Sequence, residues 1–276
     1  MTRSGALPGL CLAALLLLAG CTGSRATPAP PDPVNGLDTP NAALAATKPG
    51  KAPNPADRCQ QSGNEPVTKV VLTTADGVHL AGAEFGTGPH GVLLLPQQNG
   101  DLCAWWDYAT ALLNQGFHVL AIDLRGTGYS ESGGRADYTA DAEAGIAALK
   151  HHSATKVVLI GAALGAATAL VTAGRAPDQV AGVVSLSYAD TDVTAGAGGD
   201  PHTPSQAAGR ITAPLLLCFT AGDKQAAPGA QQLADAARGP AKQLVGRPGV
   251  SHGWDMLKVG EDDVRPDILS FLQSYS

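Results

Sequence analysis

Aromatic residues are scarce in this chain: they make up 4% of its 276 positions, and none occurs before Phe85. A leading stretch that long without a ring has little to bury, so the compact part of the protein is expected to begin not far upstream of Phe85. No apolar run approaches the roughly 20 residues that a membrane-crossing helix needs. The run at the amino end, Leu10–Ala19, has ten. Cationic clusters are missing as well, and the formal charge is −6, which argues against nucleic acid as a partner. His79, His90, His118, His151, His152 and His202 show no ligand-like spacing with one another or with cysteine, so no metal is expected, nor any cofactor.

What is present at the amino end is ordered. Arg3 supplies a positive start, Leu10–Ala19 an apolar core, and Leu18-Ala19-Gly20-Cys21 a small-residue close. That is the pattern of a signal peptide over residues 1–20. The last four residues resemble the lipobox of bacterial lipoproteins. The resemblance implies cleavage before Cys21, lipidation of that cysteine, and attachment to the outer face of the cell membrane through stable acyl chains. Between Thr22 and Pro66 there are nine prolines, no aromatic residue and little periodicity. This composition cannot offset the entropy of chain ordering, so residues 21–66 are expected to form a disordered tether. Residues 67–276, about 210 positions, suffice for one domain with a sizeable core.

Of five cysteines, Cys11 would leave with the signal and Cys21 would carry lipid. Cys218 lies inside the apolar run Pro214–Phe219, where cysteine is usually an inert small hydrophobe. Cys59 and Cys103 both fall in loops of an exported domain, and they are the expected disulfide.

The domain opens with alternating segments, 67–74 and 78–85, joined at Asp76-Gly77, a hairpin signal. Strands are then expected at 91–95, 118–122, 157–160, 180–187, 215–220 and 242–245. Helices are expected at 105–115, 138–151, 164–175, 229–238 and 264–274. A hairpin followed by β–α repeats implies a mostly parallel, eight-stranded sheet with helices on both faces.

Five segments in fixed order then resemble the α/β-hydrolase superfamily. They are Leu94–Gly100 where the family has its oxyanion loop, Asp123–Ser130 as a D-x-R-G-x-G-x-S turn, Gly161-Ala162-Ala163-Leu164-Gly165, Gly222-Asp223, and Ser251-His252-Gly253. The third stands in the strand–turn–helix setting of the G-x-S-x-G elbow, whose serine is the nucleophile. Both glycines are there, but the serine is not: position 163 is alanine. By resemblance, Asp223 is the acid and His252 the base, with Asp190 and Asp192 as alternative acids. Leu164 and Gln98 would give the two backbone N–H groups of the oxyanion hole. Pro96 stands where the family has histidine, which puts the path of that loop in question.

Ser130, Ser185, Ser187 and Ser251 are the hydroxyls that could stand in for the missing nucleophile, though none sits on an elbow-like turn. The segment 189–210, where relatives insert a lid, is short and rich in Gly, Ala, Asp and Thr, so at most a minimal lid is expected. One of Trp105 and Trp106 is expected to face the cleft, since adjacent helical positions diverge by about 100°. The expected protein is a monomeric, membrane-anchored hydrolase-like lipoprotein. It would bind a small ester- or amide-like ligand or a partner without serine-type hydrolysis. The alternatives are an esterase using an unusual nucleophile and an enzyme using Asp223 and His252 as a general-base dyad.

Overall fold

The computed structural model describes residues 49–61, 66–133, 135–196, 198–224 and 226–276. The signal segment, Cys21 and the tether as far as residue 48 lie outside these residues.

Eight strands form one sheet: β1 (Val67–Thr73), β2 (His79–Phe85), β3 (His90–Leu95), β4 (His118–Ile122), β5 (Lys156–Ala162), β6 (Gly182–Leu186), β7 (Leu215–Thr220) and β8 (Lys242–Arg247). Their spatial order is β1-β2-β4-β3-β5-β6-β7-β8. The β1–β2 hairpin turns at Gly77, which takes a φ of 83° that glycine adopts without strain. β2 pairs antiparallel with β4, and every pairing from β4 to β8 is parallel. Central strands β4 and β6 are buried along their whole length, whereas β1 and β8 at the edges are largely exposed. Parallel strands covered on both faces read as continuous apolar runs, and these do.

Among the described residues seven α-helices accompany the sheet: α1 (Pro55–Arg58), α2 (Trp106–Asn114), α3 (Tyr138–His151), α4 (Leu164–Arg175), α5 (Pro204–Ala207), α6 (Ala226–Ala236) and α7 (Arg265–Tyr275). Val157 and Leu159 of β5 share one core with α3, α4 and α6. Val158 and Ile160 share the other with α2 and α7. The period-two alternation of a strand therefore divides the interior into two layers. Small residues set the depth of packing: a Cβ on Gly145 of α3 would stand 2.7 Å from the Leu93 side chain of β3.

Two expectations are corrected. The ordered domain starts before residue 67, because Pro49–Lys51 and α1 are helical turns, with Ala52 and Pro55 buried. The physical reason lies in Arg58 and Cys59. Arg58 reaches Asp123 (2.6 and 3.0 Å) and Asp101 (2.8 Å), and Cys59 is disulfide-bonded to Cys103, as the loop positions suggested. Trp105 and Trp106 are both buried, so neither faces a cleft. Trp106 packs edge-on against Phe85, while Trp105 ends a 3₁₀ turn, Leu102–Trp105, that precedes α2. The two rings thus belong to different local geometries, and the helical-wheel argument does not apply to them.

Candidate functional site

The chemistry-bearing residues gather beyond the carboxyl ends of β3, β5, β7 and β8. Between β5 and α4 the chain turns at Ala163, with φ 45° and ψ −105°, a conformation largely closed to L-residues. It is fixed on both sides. The Ala163 N–H donates to Leu186 O at 2.9 Å, and its carbonyl accepts from Ala167 N–H at 3.0 Å. Gly161 and Gly165 make the turn possible. A Cβ on Gly161 would collide with the backbone of Gly165, and one on Gly165 would meet the Leu95 carbonyl carbon at 2.6 Å and Pro96 O at 2.7 Å. The same spacing that suggested an elbow in sequence is required by the backbone. At its apex stands a methyl group.

Asp223 follows β7 after a short turn, and its Oδ2 lies 2.7 Å from Nδ1 of His252, in the loop after β8. Its Oδ1 accepts the Ala226 N–H at 3.1 Å, so both carboxylate oxygens are held and the imidazole is oriented. The alternative acids are engaged elsewhere: Asp190 accepts from Ser205 N–H and Asp192 from Thr194. His252 is half exposed, and Gly253 beside it packs close to Ala162, where a Cβ would stand 3.4 Å from the Ala162 methyl. The histidine loop and the elbow are therefore neighbours.

The candidate hydroxyls are occupied or sealed off. Ser130 Oγ donates to Asp123 O and accepts from Ala81 N–H, and it is fully buried. Ser187 Oγ donates to the sulfur of Met256 in the core. Ser185 is buried within β6. Ser251 is tied to Asp262, whose Oδ2 accepts its N–H at 3.0 Å. Cys218 is buried in β7, and loss of solvation pushes its thiol pKa far up, so no thiolate nucleophile is available there.

Of the two proposed oxyanion donors, Leu164 opens α4, where the first N–H groups lack intrahelical acceptors. Gln98 is exposed in the loop after β3. That loop turns tightly, with Gly100 N–H donating to Gln97 O at 3.0 Å and Asn99 at φ 61°. Trp254 pins it in a way the sequence did not announce. Its ring occupies the space of a side chain at Gly100, with a ring carbon 2.6 Å from where that Cβ would be, and it stands edge-on to Trp105. Its position two residues after His252 was the available signal. The Gln97 side-chain oxygen is buried beside Gly253 without a hydrogen-bond partner, so this amide wedges the β3 loop against the histidine loop.

The 189–210 segment forms no separate lid. Arg175 donates to the carbonyls of Pro201 and Gly199, and Arg210 to that of Asp200, while α5 begins with a Thr203/Gln206 capping box. Among the described residues, no group of three or more His, Cys, Asp or Glu is placed to hold a metal ion.

Residues 91–233, just over half of the chain, match the sequence profile of the α/β hydrolase fold. The chain belongs to the α/β-hydrolase family. Solved α/β-hydrolase structures resemble it across most of the domain. An esterase from Pyrococcus furiosus superposes with a TM-score of 0.66 at 18% identity, covering 83% of this chain and 98% of the esterase. A monoacylglycerol lipase from Paleococcus ferrophilus gives 0.60 at 20%, covering 71% and 99%. An esterase from Exiguobacterium antarcticum gives 0.60 at 14%, covering 75% and 100%. At such identities the likeness is one of fold. A comparison with curated proteins finds no match.

Proposed function

We propose that this α/β-hydrolase domain is a non-hydrolytic member of its family. In this reading it is carried at the outer face of the cell membrane by a lipidated Cys21, and its cleft binds a small ester- or amide-like ligand. One observation carries the reading: the elbow backbone, its two glycines and the Asp223–His252 pair are in place around a residue with no side-chain oxygen. The engagement of Ser130 and Ser187, the burial of Ser185 and the tie of Ser251 to Asp262 support it, since among the described residues no hydroxyl is hydrogen-bonded to His252.

The magnitude decides between weak and absent chemistry. Removing the nucleophile from a serine hydrolase costs about 10⁶ in kcat, and only about 10³ to 10⁴ over water survives from binding and oxyanion stabilisation. A second reading is favoured by the intact 2.7 Å pair: His252, oriented by Asp223, would act as a general base on water or substrate.

The test compares three proteins on short p-nitrophenyl esters. The native chain is expected to match its His252→Ala variant, and Ala163→Ser is expected to gain partial activity that depends on His252. Native activity that disappears in His252→Ala would overturn the non-hydrolytic reading in favour of the general-base dyad.

A further inference from the structure

We infer that the emptied elbow selects a ligand bringing its own hydrogen-bond donor beside a carbonyl, a small carboxamide in preference to the ester of the same shape. This rests on the binding role proposed above and names the ligand class for that cleft.

The argument is an inventory of donors and acceptors. Asp223 Oδ2 faces Nδ1 of His252 at 2.7 Å. An ionised carboxylate only accepts, so Nδ1 carries the ring proton, and in the neutral ring Nε2 is left as an acceptor. In a serine hydrolase the nucleophile's O–H supplies the matching donor. Here the apex of the elbow is the Ala163 methyl, and among the described residues no group donates to Nε2. The His252 side chain is 51% exposed, so this acceptor is open to whatever enters. Leu164 is the first residue of α4, two residues after Ala162, against which the histidine loop packs at Gly253, and its N–H is a donor without an intrahelical acceptor.

The site thus offers an acceptor on His252 and a donor on Leu164 in two neighbouring loops, with Ala163 and Leu164 partly exposed. An amide complements both, its C=O taking the Leu164 N–H and its own N–H meeting Nε2. An ester accepts twice and donates nothing, so seating it strips water from Nε2 and leaves that atom unpaired. A carboxylate has the same deficit. Replacing serine by alanine therefore does more than remove a reactive group. It leaves the imidazole nitrogen itself as the acceptor that a donor-bearing ligand meets.

The experiment titrates the full chain with hexanamide, methyl hexanoate and hexanoate, read by tryptophan fluorescence and by thermal shift. Trp105 and Trp106 are buried in the core, whereas Trp254 is partly exposed two residues from His252, so a ligand-dependent signal reports on this site. Native protein should bind hexanamide about tenfold or more tighter than methyl hexanoate, the ratio that one unpaired polar atom supports. His252→Phe, which keeps a ring but deletes the acceptor, should bring the ratio near one. Equal binding of amide and ester by the native chain, or tighter binding of hexanoate, overturns the inference while leaving the binding role standing. Binding of none of the three by folded protein overturns both.

Discussion

At Ala163 the backbone holds φ 45° and ψ −105°, a conformation that costs an L-residue on the order of 1–3 kcal/mol. In a working hydrolase that strain lifts a nucleophile above the sheet. Here it lifts a methyl group, and it persists because Leu186 O, the Ala167 N–H and the contact of Gly165 with the β3 loop determine the turn from three sides. Glycine would adopt the same turn without the Cβ penalty. Its greater freedom in the unfolded chain subtracts roughly 0.5–1 kcal/mol. Ala163→Gly is therefore expected to stabilise the protein by about 1 kcal/mol, raising Tm by about 2–4 °C in calorimetry. An unchanged or lower Tm would show that the Ala163 methyl packs well enough to offset its strain. At this scale the sequence was informative where backbone geometry restricts the residue, as at Gly161 and Gly165. It was silent where a role arises from contact across the chain: nothing local marks Trp254 as the ring that fills the space above Gly100.

Among the elements, strands and helices were legible because their apolar periods are long and clean. β4, β7, α3 and α4 have the boundaries that periodicity implies. The first ordered turns were not legible, since α1 has four residues and its reason for folding lies 65 positions away. Asp123, at the end of β4, is fully buried and accepts from Arg58, Leu102 N–H and Tyr129 N–H. The Arg58 guanidinium is nearly buried too, and it lies over the Tyr129 ring at 4.8 Å. Gly128 leaves room for this pair, because a Cβ there would collide with the Asp123 carboxylate. The D-x-R-G-x-G turn thus serves as a socket for a residue of the N-terminal segment. Removing one partner of a buried ion pair costs about 3–5 kcal/mol, because the other charge is left uncompensated. Arg58→Ala should lose that much in urea unfolding, with Arg58→Lys recovering part of it. A loss below about 1 kcal/mol would mean that water reaches Asp123 and the clamp contributes little.

For the whole molecule, the clamp and the site lie at the same end of the sheet. Asp101 and Cys103 follow β3 and Asp123 follows β4, just as Ala163, Asp223 and His252 follow β5, β7 and β8. The segment before β1 is therefore clamped, through Arg58 and Cys59, at the end that carries the site. If Cys21 is lipidated, about 28 residues separate the anchor from Pro49, the first residue of the ordered turns. A single acyl chain binds membranes only marginally, so retention requires the two or more chains that the lipobox resemblance implies. Among the described residues no helix is long and apolar enough to cross a membrane. Expressed in a bacterial host, the native protein is expected in the detergent phase, with an acylated Cys21 at its N-terminus by mass spectrometry. Cys21→Ala should move it to the aqueous phase while leaving Tm and hexanamide affinity unchanged, because Arg58 and the Cys59–Cys103 disulfide tie the domain together downstream of the tether. A Cys21→Ala protein that stays with the membrane would place the attachment on the domain surface instead, and one that loses ligand affinity would make residues 21–48 part of the binding site.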